Sequence, residues 1–306
     1  MSKILVFGGA GFIGSHVADA LTREGHLVTI FDIQKSDYLI DNQKMIVGDI
    51  LNRDTVRAAV KDSEVVYNFA AMADIQKALD NPVDAANFNI MGNMHIIDAC
   101  REFSISRFMY ASTIYVYSDH GSFYRSSKQA CELFIENYHK EYDLDFTILR
   151  YGSLYGARAN DFNFIRNCIR QALMEGRIVR KGDGEEIRDY INIIDAAKAS
   201  VDALDADYKN SYLMITGAQT MKVKELLSMI KEIMNDEIEL EFNNDQMVGH
   251  YKITPYSFKP KVALKMAPKN FHDLGQGVLD SIYEIYQELL DEGLKPRAFN
   301  GQSNNG

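Results

Sequence analysis

The chain is poor in three things, and each shortage excludes something. It has only three cysteines, Cys100, Cys131 and Cys168, far apart and without metal-ligand spacing. An odd, scattered set argues against a disulfide framework and fits a reducing cytosol. It has no apolar run of about 18 residues, so no membrane span is expected. The opening MSKILVFGGAGFIG is apolar only briefly before glycines interrupt it, and reads as a strand, not a signal peptide. Positive charge is also short: 33 Lys and Arg stand against 43 Asp and Glu, a net charge of −10. Phosphate backbones demand clustered basic residues. The basic runs here are short and scattered, so no nucleic-acid partner is expected. Internal repeats are absent too.

What is present is ordinary for a cytoplasmic, soluble protein: 46% hydrophobic and 25% charged residues in a chain of 306. That length suits one large domain or two modest ones. Apolar, β-branched runs at 3–8, 27–32, 45–49, 64–70, 107–112 and 145–151 read as strands buried on both faces. Helical spacing fills the gaps at 12–24, near 53–61, at 83–103 and at 125–141. Such alternation predicts an α/β fold, a Rossmann-like, doubly wound parallel sheet, over residues 1–155. The rhythm then shortens, and 156–296 reads mainly as a smaller mixed α/β lobe. Its last helix is expected near Asp273–Glu292. The polar residues 297–306 are expected to be a disordered tail.

Gly8, Gly9, Gly11 and Gly14 follow the first strand and open the first helix. Glycines there let backbone approach a pyrophosphate, and the helix N-terminus offers free N–H groups. A tight turn also uses glycine, but the strand before and the helix after favour dinucleotide binding. Asp32 ends the second strand. Its carboxylate can accept from both adenosine ribose hydroxyls and repels a 2′-phosphate. Ile33 and Gln34 follow it, not Arg, which favours NAD over NADP; Lys35 keeps the second possibility open. Asp49 after the third strand can lie near the adenine. Ala70, Ala71 and Ala73 are small enough for close approach.

The stretch RFMYAST ends in Thr113, and Tyr124 and Lys128 follow at a spacing that shares one helix face. With 17 tyrosines in the chain, about one Tyr-x-x-x-Lys arises by chance. Position gives this pair meaning: it follows the fifth strand, at the carboxyl edge where open α/β sheets bind ligands. Hydride removal from an alcohol needs a base for the hydroxyl proton. A free tyrosine, of pKa about 10, is a poor base. A lysine cation and a nicotinamide ring nearby favour the phenolate. A shift of about 3 units takes roughly 4 kcal/mol. Thr113 is placed to hydrogen-bond the reacting oxygen.

These segments resemble the extended short-chain dehydrogenase/reductases, in their nucleotide-sugar epimerase/dehydratase branch. FGGAGFIGSHV resembles the cofactor loop, NPVDAANFNIMGNMHIIDACREFSISRFMYAST the long helix and catalytic strand, and YRSSK the catalytic motif. LRYGSLYG and GDGEEIRDYINIIDAAKA are similar to later family segments. The resemblance implies NAD contacts at Gly8, Gly11, Phe12, Ile13, Gly14, Asp32, Ile33, Asp49, Ile50, Ala70, Ala71, Tyr124, Lys128 and Tyr151. It implies that Ser153, Asn163 and Arg188 meet a nucleotide-diphosphate sugar, with Arg188 on the diphosphate. For Asn163, a helix-start role is an equal alternative.

Three departures narrow the chemistry. Ile114 and Tyr115 follow Thr113 where dehydratases carry Asp-Glu; neither supplies the acid or base of water elimination. Tyr115 also replaces the Cys of the GDP-fucose-forming epimerase–reductases. C4 alcohol–ketone chemistry remains: a 4-dehydrogenase, a 4-epimerase or a 4-keto reductase. The path from Tyr117 to Tyr124 spans only seven positions, implying an open sugar pocket that favours release of the ketone and suits a bulky sugar such as a GDP-linked heptose. Ser153 stands where relatives often carry Asn. From another class, a dinucleotide sensor without catalysis is disfavoured because Tyr124 and Lys128 are both present. Relatives pair through the long and catalytic helices, and Cys131, Leu133, Phe134, Ile135 and Tyr138 give the latter extra apolar surface. A homodimer or homotetramer is expected.

Overall fold

A computed structural model describes residues 1–235, 237–243, 264–266 and 272–299. The first half runs β1 (Lys3–Phe7), α1 (Phe12–Arg23), β2 (Leu27–Asp32), β3 (Lys44–Val47), α2 (Arg53–Val60), β4 (Val65–Asn68), α3 (Ile75–Asp80), α4 (Pro82–Ala86), α5 (Gly92–Glu102), β5 (Arg107–Thr113), α6 (Ser122–Tyr142) and β6 (Phe146–Tyr151). Then come β7 (Ser153–Tyr155), α7 (Phe164–Glu175), β8 (Arg177–Lys181), β9 (Ile187–Asn192), α8 (Ile193–Asp202), β10 (Ser211–Ile215), β11 (Thr220–Lys222), α9 (Val223–Ile233), β12 (Glu239–Asn243), β13 (Leu264–Met266) and α10 (Leu274–Asp291).

Among the described residues the main sheet has eight strands in the order β13-β10-β6-β5-β4-β1-β2-β3, every pair parallel. Ile4, Leu5, Val6 and Phe7 of β1 are all essentially inaccessible, as continuous apolar strands between helix layers must be. After β1 the chain winds outward through β2 and β3, then restarts on the other side with β4. That reversal opens a crevice at the carboxyl ends of β1 and β4.

The helix expected over 83–103 is continuous but not uniform. A π turn, Asn87–Met91, joins α4 to α5. A π turn inserts one residue and redirects the local side chains, a change that hydrophobic spacing does not reveal. Helix α6 presents Ser127, Lys128, Cys131, Glu132 and Ile135 to the sheet and leaves Leu133 and Phe134 outside.

The smaller lobe holds a three-stranded sheet β11-β9-β7, a two-stranded sheet β12-β8, and helices α7, α9 and α10 around their own apolar core. Segment 156–296 does not stay in that lobe. Ala196, Ala197 and Ala199 of α8 join the core cluster that includes Val17 and Leu21 of α1, and β10 pairs with β6. The tail also starts later than expected. Arg297 donates its N–H to Leu173 at 2.8 Å, and Phe299 is 3% exposed against the rings of Tyr283 and Tyr286. Residues 300–306 lie outside the described residues.

Candidate active site

The glycine loop joins β1 to α1 beside the crevice and lies against Ala70, which follows β4. Gly8 adopts φ +73°, and a Cβ there would lie 2.5 Å from the backbone nitrogen of Ala70. A Cβ on Gly14 would lie 2.2 Å from the Gly8 carbonyl. These two glycines let the loop fold onto itself and onto Ala70. Gly11 differs: it is exposed, and a Cβ there would meet only the Gly8 carbonyl, at 3.3 Å. Gly11 is the N-cap of α1, no side chain caps that end, and no acid occupies its first turn. Phe12, Ile13 and Gly14 therefore present an uncapped helix N-terminus, which suits a pyrophosphate.

Asp32 is half-buried and already braced. Its Oδ2 accepts the Ala10 N–H at 3.0 Å and its Oδ1 the Gln34 N–H at 3.2 Å. It ties β2 to the glycine loop and keeps further lone pairs for ribose hydroxyls. Ile33 beside it is 61% exposed. Asp49 accepts the Leu51 N–H at 2.9 Å, closing its own turn, and Ile50 packs against Gly92.

After β4, buried Asn68 accepts the Ala70 N–H at 3.0 Å and donates to Asn93 at 2.9 Å. Asn89, turned inward by the π turn, accepts the Met72 N–H at 2.6 Å and donates to the Met72 carbonyl and the Ser127 hydroxyl, at 3.1 and 2.9 Å. One amide thus fixes the Ala70–Ala73 loop against α6. Sequence reading missed Asn68, Asn89 and Ser127. Only their lodging in otherwise apolar or helical runs could have signalled them.

Thr113, Tyr124 and Lys128 meet at the carboxyl end of β5. Thr113 hydrogen-bonds the Tyr124 phenol, which lowers its pKa slightly, but burial is the larger effect and pushes the phenol up to about 12. Lys128 is 3% exposed, donates to the Ala111 carbonyl at 2.8 Å, and lies 4.8 Å from the Tyr110 ring centre and 5.9 Å from that of Tyr124. Burial pulls Lys128 down to about 8. The chain's own groups thus hold Tyr124 as a neutral phenol, and the phenolate expected from a lysine cation and a nicotinamide ring together needs the second of these as well.

Behind the trio lies an ion pair that sequence reading did not single out. Glu132, four residues after Lys128, binds Arg150 of β6 and accepts the Ser112 hydroxyl at 2.6 Å. Arg150 also donates to the Tyr117 hydroxyl. Tyr117 ends the short turn Ile114–Tyr117, which follows Thr113 directly. Tyr151, read as a cofactor contact, turns its side chain into the core, where its hydroxyl meets Ser200 at 2.6 Å. Any cofactor role there falls to its backbone.

In the lobe, Ser153 is partly exposed and sits opposite Tyr190 in the β7–β9 register. Arg188 on β9 is 7% exposed and donates to the Ile187 carbonyl at 3.0 Å. Asn163 turns out to cap α7: it accepts the Arg166 N–H at 3.2 Å and donates to the Leu154 carbonyl at 2.8 Å. Both ends of its amide serve the fold, so the helix-start alternative describes it.

Fold and glycine loop together define a dinucleotide-binding α/β protein. The sequence model of the NAD dependent epimerase/dehydratase family matches residues 4–214, and the chain belongs to that family. A UDP-N-acetyl-alpha-D-glucosaminuronate decarboxylase of Bacillus cytotoxicus is 29% identical over 84% of this chain and 86% of that protein. A UDP-glucuronate 4-epimerase of Thermodesulfobacterium geofontis is 24% identical over 80% and 84%. Among solved structures, UDP-glucuronic acid 4-epimerase from Bacillus cereus, in complex with UDP-glucuronic acid and NAD, superposes with a TM-score of 0.82 at 25% identity, covering 94% of this chain and 99% of that one. The cofactor is NAD, and the uncapped α1 terminus with its glycine loop fits it. No helix among the described residues is long and apolar enough to cross a membrane.

Proposed function

We propose that the protein oxidises C4 of a sugar linked to a nucleoside diphosphate. One observation carries this reading: Thr113, Tyr124 and Lys128 converge with no carboxylic acid beside Thr113, where Ile114 and Tyr115 stand. Thr113 orients the C4 hydroxyl, and Tyr124 takes its proton. Lys128 holds the nicotinamide ribose. Bound NAD supplies the hydride acceptor and a positive ring, which favours the phenolate that the chain alone does not produce. Arg188 suits the diphosphate because a guanidinium bonds phosphate in a bidentate fork. Without an acid–base pair for water elimination after Thr113, no dehydration of the ketone follows.

Two fates of that ketone follow. Release gives a net 4-dehydrogenase, which the short Ser118–Gly121 link favours by leaving the sugar less covered. A second reading, 4-epimerisation with hydride return to the other face, draws on the named activity of the 4-epimerase relatives. Purified protein with NAD and GDP-, UDP-, dTDP- and CDP-sugars decides, followed by absorbance and NMR. Accumulating reduced nicotinamide with a keto-sugar means dehydrogenation. An inverted C4 without it means epimerisation. Silence with every sugar removes both.

We also propose a homodimer through α5 and α6. Phe123, Leu133 and Phe134 on α6 are 47%, 53% and 40% exposed, while Cys131 and Ile135 serve the sheet. Sedimentation at micromolar concentration tests it; a monomer there contradicts it.

A further inference from the structure

Glu186 stands immediately before β9, and side chains alternate along a strand. Glu186, Arg188 and Tyr190 therefore share one face, and Ser153 joins it through its register with Tyr190. Ser153 follows Tyr151, the register partner of Thr113, by two residues. The row thus starts near the catalytic strand end and leads away from it. At about 3.3 Å per residue, Glu186 stands about 13 Å beyond Tyr190. A nucleotide sugar lays out sugar, diphosphate and base in that order. With Arg188 on the diphosphate, Glu186 falls on the base side.

Glu186 is 8% exposed. Its Oε1 accepts from Arg180 at 3.2 Å, and that guanidinium lies 4.7 Å from the ring centre of Phe164, at the start of α7. Its Oε2 is buried and has no hydrogen-bond partner among the described residues. A buried carboxylate oxygen without a donor is unfavourable, and a ligand N–H would relieve it.

We propose that Glu186 reads the base of the nucleotide sugar and selects guanine. The inference rests on the nucleotide-sugar reading above. Guanine carries two adjacent donors, N1–H and the 2-amino group, next to the acceptor O6. A carboxylate meets the two donors, and the Arg180 guanidinium beside it offers N–H toward O6. Uracil and thymine place one N–H between two carbonyl oxygens, so a carboxylate there faces an acceptor it repels. Cytosine and adenine set an amino donor beside a ring acceptor, which fits half as well. Reaching Oε2 takes a rotation of the Glu186 and Arg180 side chains on their flexible stems; these are 9% and 14% exposed.

Titration calorimetry of the NAD-loaded protein with GDP, IDP, UDP, dTDP and CDP tests this. GDP is expected to bind at least tenfold tighter than UDP, dTDP or CDP. IDP, which lacks the 2-amino donor, is expected to fall between GDP and UDP. Glu186→Gln turns an acceptor into a donor and should bring GDP and UDP within about threefold, with NAD affinity unchanged as the check on folding. The GDP–IDP–UDP series needs no variant, so it stands even if Glu186→Gln does not fold. UDP, dTDP or CDP binding as tightly as GDP overturns the assignment and leaves the nucleotide-sugar reading intact; UDP is the nucleotide in the relatives' names above. Failure of all five to bind a protein that holds NAD overturns both.

Discussion

Glu132 and Arg150 form a two-pronged ion pair, Nε to Oε1 at 3.0 Å and Nη2 to Oε2 at 2.7 Å, with side chains only 4% and 1% exposed. The pair links α6 to β6 one helical turn beyond Lys128. Through Ser112 and Tyr117 it also reaches β5 and the turn after Thr113. Breaking such a pair from one side leaves a buried charge behind, at a cost of about 3–5 kcal/mol. Glu132→Ala is expected to lose stability of that order in urea denaturation. Glu132→Gln, which keeps the shape and one acceptor oxygen, should lose less. A loss below about 1 kcal/mol in Glu132→Ala would show that the network is dispensable.

Lys128 stores a cost of its own. Burial holds it near 8, against 10.5 in the unfolded chain. Below about pH 8 both states carry the proton, and the native state bears the full desolvation penalty. Between 8 and 10.5 the native state releases it first, so the unfolded chain binds more protons and stability rises with pH. Lys128→Met removes the penalty, about 3 kcal/mol at most at neutral pH. The variant is expected to be more stable than wild type at pH 7, nearly inactive, and to lose its advantage by pH 10. Denaturant titrations at pH 7, 8.5 and 10 check this. A gap that does not change with pH would place the Lys128 pKa outside that window.

Tyr124→Phe keeps the ring and removes the proton acceptor. General-base removal lowers rates by about 10²–10⁴. Single-turnover reduction of NAD should fall by that factor, while NAD affinity, measured by fluorescence quenching, stays within about threefold. An equal fall in NAD affinity would instead make Tyr124 mainly a binding group.

The outline of this protein was legible because its signals are local. Buried parallel strands are continuous apolar runs, glycines mark the tight loop between β1 and α1, and Tyr124 and Lys128 share a helix face. What was not legible depends on contacts between distant segments. The roles of Asn89 and Glu132 come from what β4, β5 and β6 place opposite them. A π turn has no periodic signature, so the inward turn of Asn89 could not be read from spacing. Tyr151 went the other way: its family motif suggested a cofactor contact, while burial against Ser200 on α8 decided its direction. Asn163 was readable both ways, since one amide can cap a helix or meet a ligand. The tail looked polar, yet one phenylalanine, Phe299, is enough to dock its start.

The glycine loop separates folding from binding. At Gly14 a methyl group would collide with the Gly8 carbonyl at 2.2 Å and with the Gly9 Cα at 2.9 Å, both backbone atoms that cannot swing aside. Gly14→Ala must push the loop off α1, and overpacking of that kind costs about 1–3 kcal/mol. Lower stability and lost NAD binding are expected together. At Gly11 a methyl group meets one atom, at 3.3 Å, and otherwise points out of the protein. Gly11→Ala should therefore fold with close to wild-type stability and still bind NAD weakly, because the added carbon occupies the space above the helix N-terminus that we propose for the pyrophosphate. Thermal melts with and without NAD distinguish the two. Wild type should gain stability as NAD is raised above its dissociation constant. Gly11→Ala should start from the same melting point and gain less, and Gly14→Ala should start lower and gain nothing. A full NAD response in Gly11→Ala would move the pyrophosphate away from that helix end and reopen the placement of the cofactor.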